Sequence, residues 1–225
     1  MTKYNSQKDI FLSSEGNAWY QRNKSYFESQ GENNDLVFDF ILAQKITPKS
    51  VLEIGCADGR RLSIINKALD ANCNGIDVSS EAILSGSKKY QDINLKVGSA
   101  ENLQFEDEYF DLVIFGFCLY LCDRKDLFKI AAEADRVLKD QGMIIIKDFH
   151  PPFPYKNVYS HCDNIYSYKM DYSRLFTWNP TYTALASSIL AHDLSANYST
   201  VDERISVNLL YKNIANAYPD KPKFT

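Results

Sequence analysis

No stretch of this 225-residue chain is apolar for the length that a bilayer-spanning helix needs, about 20 residues. The first nine residues, Met1 to Asp9, have no apolar signal-peptide core, so a cytoplasmic location is expected. Cysteine is scarce, and its count of five is odd. Cys118 and Cys122 lie four apart, but no second Cys/His pair with ligand spacing stands nearby. Neither a disulfide framework nor a metal site is expected, and the thiols read as free and buried. An excess of positive charge is also missing: 25 Lys and Arg face 29 Asp and Glu, with a pI near 5.4. That argues against a dedicated nucleic-acid binder while leaving room for a local basic patch. No Gly-Lys-Ser/Thr ends a glycine loop, which excludes a P-loop. Internal repeats, low-complexity tracts and linkers are absent as well.

What the chain does have is material for a core, 45% hydrophobic residues, and a heavy load of 15 Tyr and 13 Phe. Ser50-Val51-Leu52-Glu53-Ile54-Gly55-Cys56-Ala57-Asp58-Gly59-Arg60 reads as a buried parallel strand, a turn of small residues and a helix start. Small residues in such a turn let a ligand approach the backbone. The next strand, Asn72 to Ile76, ends at Asp77, an acid able to accept both hydroxyls of a ribose. The dinucleotide fingerprint Gly-x-Gly-x-x-Gly fails from Gly55, because Ala57 and Arg60 occupy its second and third glycine positions.

Acid-x-Gly-x-Ala-x-Gly with an acid ending the following strand resembles motif I and the acidic loop of class I S-adenosylmethionine (SAM) methyltransferases. The resemblance implies SAM as cofactor. It places Glu53 near the methionine amino group, Gly55, Cys56, Ala57 and Gly59 under the methionine, and Asp77 and Val78 at the ribose. At Gly98-Ser99-Ala100-Glu101-Asn102-Leu103 the family commonly has Asp for Ser99, which meets the adenine amino group. A serine hydroxyl accepts a hydrogen bond without charge, so that contact is in doubt, while backbone groups of Ala100 and Glu101 remain available. Phe115 to Leu121 follow the fourth strand and should face cofactor and acceptor. The match is motif-level over about residues 50–150. It implies an α/β, Rossmann-like, doubly wound, mostly parallel seven-stranded sheet with an antiparallel last strand and helices on both faces.

The order of elements agrees with that fold. Strand and helix alternate five times up to residue 149, as a parallel sheet with right-handed crossovers requires. The spacing predicts helices over 33–46, capped by Asn33 or Asn34, over Arg60 to Leu69, from Ser79 or Ser80 toward Tyr90, and over Leu127 to Leu138, broken by Gly142. Tyr182 to Leu190 and Arg204 to Tyr211 read as an antiparallel pair. One domain over 1–225 is expected: a helical cap to residue 48, a cofactor core to 149 and an acceptor segment beyond. In the cap, Trp19, Tyr20 and Phe27 either pack an amphipathic helix on the sheet, or Trp19 and Arg22 close over cofactor.

Methyl transfer is an in-line displacement whose thioether leaving group needs no proton, so catalytic residues are few. His150 stands just past the fifth strand, where a base belongs, with Asp148 or His161 assisting. A surface or capping role is the alternative for either histidine. Tyr120, Tyr159, Lys169 and Tyr172 are substrate candidates; Lys169 suits an anionic group, or is merely a solvated strand residue. Tyr172, Phe176 and Trp178 stack on a ring or simply pack. Glu15 to Asn23 and the Asp148-Phe149-His150-Pro151-Pro152 stretch resemble methyltransferases of bacterial surface-carbohydrate gene clusters. They imply a sugar- or nucleotide-linked small-molecule acceptor, with neither nucleic acid nor membrane as partner and the oligomeric state left open. A SAM-binding partner subunit without catalysis and a nicotinamide oxidoreductase are the competing readings.

Overall fold

The computed structural model describes residues 6–29, 35–192 and 200–220. The chain opens with α1 (Gln7–Ile10), a π-helical turn (Phe11–Glu15) and α2 (Gly16–Ser29), followed by α3 (Leu36–Ala43). Then come β1 (Ser50–Ile54), α4 (Arg60–Leu69), β2 (Asn72–Asp77), α5 (Ser80–Lys89), β3 (Asn94–Val97) and β4 (Phe110–Gly116). After β4 two 3-10 turns lead to α6 (Leu127–Val137), which runs directly into β5 (Leu138–Phe149). A hairpin of β6 (Tyr155–Val158) and β7 (Tyr166–Lys169), a short α7 (Arg174–Thr177), β8 (Tyr182–Ala191) and β9 (Arg204–Lys212) complete it.

Seven strands form one sheet in the order β3-β2-β1-β4-β5-β9-β8. β1 to β5 are parallel, and β9 is antiparallel to both of its neighbours, β5 and β8. The expected doubly wound sheet with an antiparallel final strand is therefore present. The chain winds outward from β1 to β3 and then returns to β4, so the crevice above β1 and β4 is the switch point where ligands bind in such sheets.

Alternate side chains of the central strands feed two cores. Leu52, Ile54, Val113, Phe115, Ile144 and Ile146 pack with Ile130, Ala134 and Val137 of α6 and with Leu175 and Phe176 of α7. Val51, Leu112, Ile114 and Ile145 pack on the other face with Val37, Phe40 and Ile41 of α3 and Leu62 and Ile65 of α4. Burying a side chain of this size contributes about 1.5–3 kcal/mol, which explains why the central strands are mostly apolar.

Several boundaries differ from the sequence reading. Asp35 caps α3, accepting the Val37 and Phe38 N–H groups; Asn33 and Asn34 lie outside the described residues. Of the two serines offered as caps for α5, Ser79 takes the role, as expected, by accepting the Ala82 N–H. Gly142 does not end α6, because the helix passes into β5 at Leu138. Gly142 instead lies in a bulge where a Cβ would come within 2.6 Å of Leu138. Tyr172 and Phe176 are core residues, whereas Trp178 is 71% exposed. The β6–β7 hairpin and α7 had no counterpart among the expected elements.

Candidate active site

β1 ends in a turn that hangs from β2. The N–H groups of Gly55 and Cys56 both bond to the Ile76 carbonyl, at 2.9 and 3.1 Å. Gly55 has φ +75°, and a Cβ there would lie 2.7 Å from the Cys118 Cβ, so a side chain is excluded by both conformation and space. Ala57 takes φ 49°, a left-handed conformation that costs an L-residue roughly 1–2 kcal/mol. Asp77 holds it there: one carboxylate oxygen accepts the Ala57 N–H at 2.9 Å and the other accepts the Ser79 N–H at 2.8 Å. The Val78 N–H acts on the same carboxylate. Burial pushes the Asp77 carboxyl up, while the backbone donors pull it down.

Beside this turn is a cavity with about 870 Å³ of empty space, its open mouth included. Gly55, Asp77 and Val78 form one wall; Ser99, Ala100 and Glu101 form a second. Trp19 and Phe11 cover it from the N-terminal helices, and Gly116, Phe117, Cys118, Leu121 and Cys122 close it from the exit of β4. Lys8 reaches in to pair with Glu101 at 2.8 Å, and the Ser99 hydroxyl donates to Glu101 at 2.9 Å. Burial raises the thiols of Cys118 and Cys122.

The covering helices are anchored by side-chain bonds. Gln7 donates to the Leu121 and Tyr166 carbonyls and accepts the Tyr166 N–H, while the Gln7 and Lys8 N–H groups bond to Asp123. Glu15, in the π turn, accepts from the Tyr159 hydroxyl at 3.0 Å and from Arg22. π turns inside helices are frequent at functional sites.

Below the floor lies a charged group. Glu53, 1% exposed, pairs through one oxygen with Arg61, which also bonds Asp35 at 2.8 Å. Its other oxygen, Oε2, is buried with no partner among the described residues. Burial pushes the Glu53 carboxyl up to about 7, against the pull of Arg61. A Cβ on Gly116 would lie 2.5 Å from Glu53 Oε1, so only a glycine leaves this carboxylate within reach of the floor.

Of the residues singled out in the sequence for cofactor, Trp19, Gly55, Asp77, Val78, Ser99, Ala100 and Glu101 line the cavity. Cys56 and Ala57 are buried in the turn, Gly59 packs toward Ile93 and Leu95, and Phe115 is sealed in the core. Arg22 is engaged with Glu15 and Tyr159 away from the cavity walls. Asp148, His150 and His161 do not border the cavity. Asp148 accepts the N–H groups of Leu119, Tyr120 and Phe149. The His150 Nδ1 lies 3.2 Å from the Ser206 hydroxyl and 3.9 Å from Asp171, and exposed His161 stands edge-on to Tyr159.

The substrate candidates also lie off its walls. Tyr120 packs with Phe117 and Phe149, Tyr172 bonds Arg124 at 2.7 Å, and Lys169 spans from the Phe149 ring to Asp202. Lys8 and Phe11 were missed in sequence. The capping box joining Ser6 and Asp9 was the signal that a helix begins just before them.

Residues 52–146 match the methyltransferase domain family. A demethylmenaquinone methyltransferase of Thermotoga maritima is 33% identical over 150 residues, 65% of this chain and 59% of that protein. A phthiotriol/phenolphthiotriol dimycocerosates methyltransferase of Mycobacterium ulcerans is 30% identical over 110 residues, covering 48% of this chain and 40% of that one. The chain thus spans about half the length of the curated relatives it matches. Among solved structures, the 1,6-didemethyltoxoflavin N1-methyltransferase of Burkholderia thailandensis superposes with TM-score 0.70 at 13% identity, over 91% of this chain and 88% of that one. Its crystals contain S-adenosylhomocysteine. The chain therefore has the class I methyltransferase fold, and its residues 52–146 match the methyltransferase domain family in sequence.

Proposed function

We propose that this chain transfers a methyl group from SAM to a small-molecule acceptor. The observation that carries the reading is the Asp77 carboxylate, which fixes the Ala57 turn through one oxygen, takes the Ser79 N–H on the other, and borders the cavity wall. The orphaned Glu53 Oε2 below Gly116 is a second fit, since an ammonium would satisfy it. In this reading Asp77 takes the ribose hydroxyls and Glu53 the methionine ammonium. Val78, Ser99, Ala100 and Glu101 border the adenine, and Trp19 and Phe11 exclude water above it. SAM supplies an electrophilic sulfonium methyl. The protein's own part is to align the acceptor and keep the site dry.

Asp148 sets the shape of the turn after β4, which would form the acceptor-facing wall. His150, held by Ser206 near Asp171, is the imidazole proposed to take the acceptor's proton. The acceptor class proposed is a sugar- or nucleotide-linked small molecule of surface-carbohydrate synthesis, supported by the Glu15–Asn23 and Asp148–Pro152 likenesses. The named relatives add quinone and lipid precursors to any acceptor panel. Five free cysteines suit the cytoplasm proposed as its location, and the chain is read as one domain. Calorimetric titration with SAH and with NAD tests the reading: SAH binds and NAD does not. Binding of NAD alone would sink it.

A further inference from the structure

Lys147 stands at the carboxyl end of β5, paired in register with Gly116 of β4. Its side chain projects on the same sheet face as Glu53, since Val51 and Ile145, each two residues before, share one core. Between the two side chains lies Gly116, a cavity-wall residue whose missing Cβ makes room for the Glu53 carboxylate, with Oε1 2.5 Å from where that Cβ would be. The Lys147 amine makes no hydrogen bond or ion pair among the described residues and lies over the Phe117 ring, 5.6 Å from its centre. Charged groups surround it on every side: Arg61 of α4, Asp35 at the start of α3, Glu53 of β1, Asp148 of β5, and His192 beyond β8. Burial, then Arg61, pushes the amine down to about 8. An uncommitted cation and a carboxylate oxygen without a partner thus flank one glycine, and both features call for a ligand. An α-amino acid group in its zwitterionic form carries the two complementary charges.

We infer that Lys147 binds the carboxylate of the methyl donor's amino-acid end, opposite Glu53. This rests on the SAM reading above and adds to it a residue that fixes which donor is accepted. A ligand lacking the amino acid gains nothing from Lys147. The pair would also make recognition depend on pH, because Glu53 must be deprotonated and Lys147 protonated.

The test compares SAH with 5′-methylthioadenosine, which has the nucleoside and thioether but no amino acid, by calorimetry. Lys147→Met should weaken SAH about ten- to a hundredfold, the worth of one charge-assisted bond. It should leave 5′-methylthioadenosine unchanged, and Lys147→Arg should restore most of the SAH affinity. In the wild type, the ratio of SAH to 5′-methylthioadenosine affinity should fall as pH rises through about 8. That measurement needs no variant to fold. Unchanged SAH affinity in Lys147→Met, an equal loss on both ligands, or a ratio flat with pH would each overturn the inference. If the wild type binds neither ligand, the donor reading itself falls instead.

Discussion

Asp148 on β5 accepts the backbone N–H of Leu119 at 2.9 Å, tying the end of one strand to the turn that leaves its neighbour. Tyr120 and Phe149 donate to the same carboxylate. Replacing it with Ala would leave three N–H groups, two of them in the cavity-closing turn, without their acceptor. Each unsatisfied buried donor costs about 1–3 kcal/mol, so Asp148→Ala should lose at least about 2 kcal/mol in chemical denaturation. Loss under about 0.5 kcal/mol would mean that water replaces the carboxylate.

The same residue gives stability a pH dependence. Burial raises Asp148 to about 7, against the lowering effect of its backbone donors. A raised folded value means that its contribution is fully present below the unfolded value, near 4, and is lost as pH rises through about 7. The stability of the wild type relative to Asp148→Asn should therefore decline between about pH 4 and about pH 7. Denaturation curves for both proteins across that range check it, and a constant difference would contradict it.

Asp77→Ala removes the proposed ribose acceptor and also frees the Ala57 N–H. SAH affinity should drop about ten- to a hundredfold, with a lower melting temperature because the left-handed turn loses its tie. Calorimetry and thermal denaturation read the two effects separately. An unchanged dissociation constant would remove Asp77 from the site.

Ser99→Asp would restore the residue commonly found in the resembled family, yet here it should weaken binding. The Ser99 hydroxyl donates to Glu101 at 2.9 Å, and a carboxylate in its place would face a second carboxylate at short range. The Lys8–Glu101 pair beside it would be disturbed as well. SAH affinity at or above wild type would show that Asp at this position reaches the ligand instead.

His150→Ala should lower turnover by about 10²–10⁴-fold, with SAH affinity unchanged, using whichever acceptor in the panel supports turnover. His150 does not border the cavity, so loss of donor binding is not expected. Full turnover in a variant of reduced melting temperature would reduce His150 to a partner of Ser206.

The layering of the fold was legible because local and global signals agree. Val51, Leu52, Ile54 and Met143 to Ile146 are apolar since both faces of a central strand are covered, and α4 runs from Arg60 to Leu69 as its spacing implied. The turn at Gly55 and the acid at Asp77 were legible because backbone geometry dictates those residue types. Lys147 was not, because a lysine at a strand end looks solvated until the strand beside it is known to place a glycine there. Asp148 misled for a similar reason: its partners are backbone groups about 29 positions earlier, which side-chain spacing cannot reveal. The β6–β7 hairpin was hidden by its four-residue strands, too short to show a period.

Gln7 bonds to groups of Leu121 and Tyr166, which leave the ribosome well over a hundred residues after it. The covering helix is thus made long before the groups that it docks on. While translation proceeds, the Phe11 and Trp19 side chains have no cavity to cover, and the crevice stands open at its top. The anchoring of the cover by Tyr166 waits until the hairpin beyond β5 has been made.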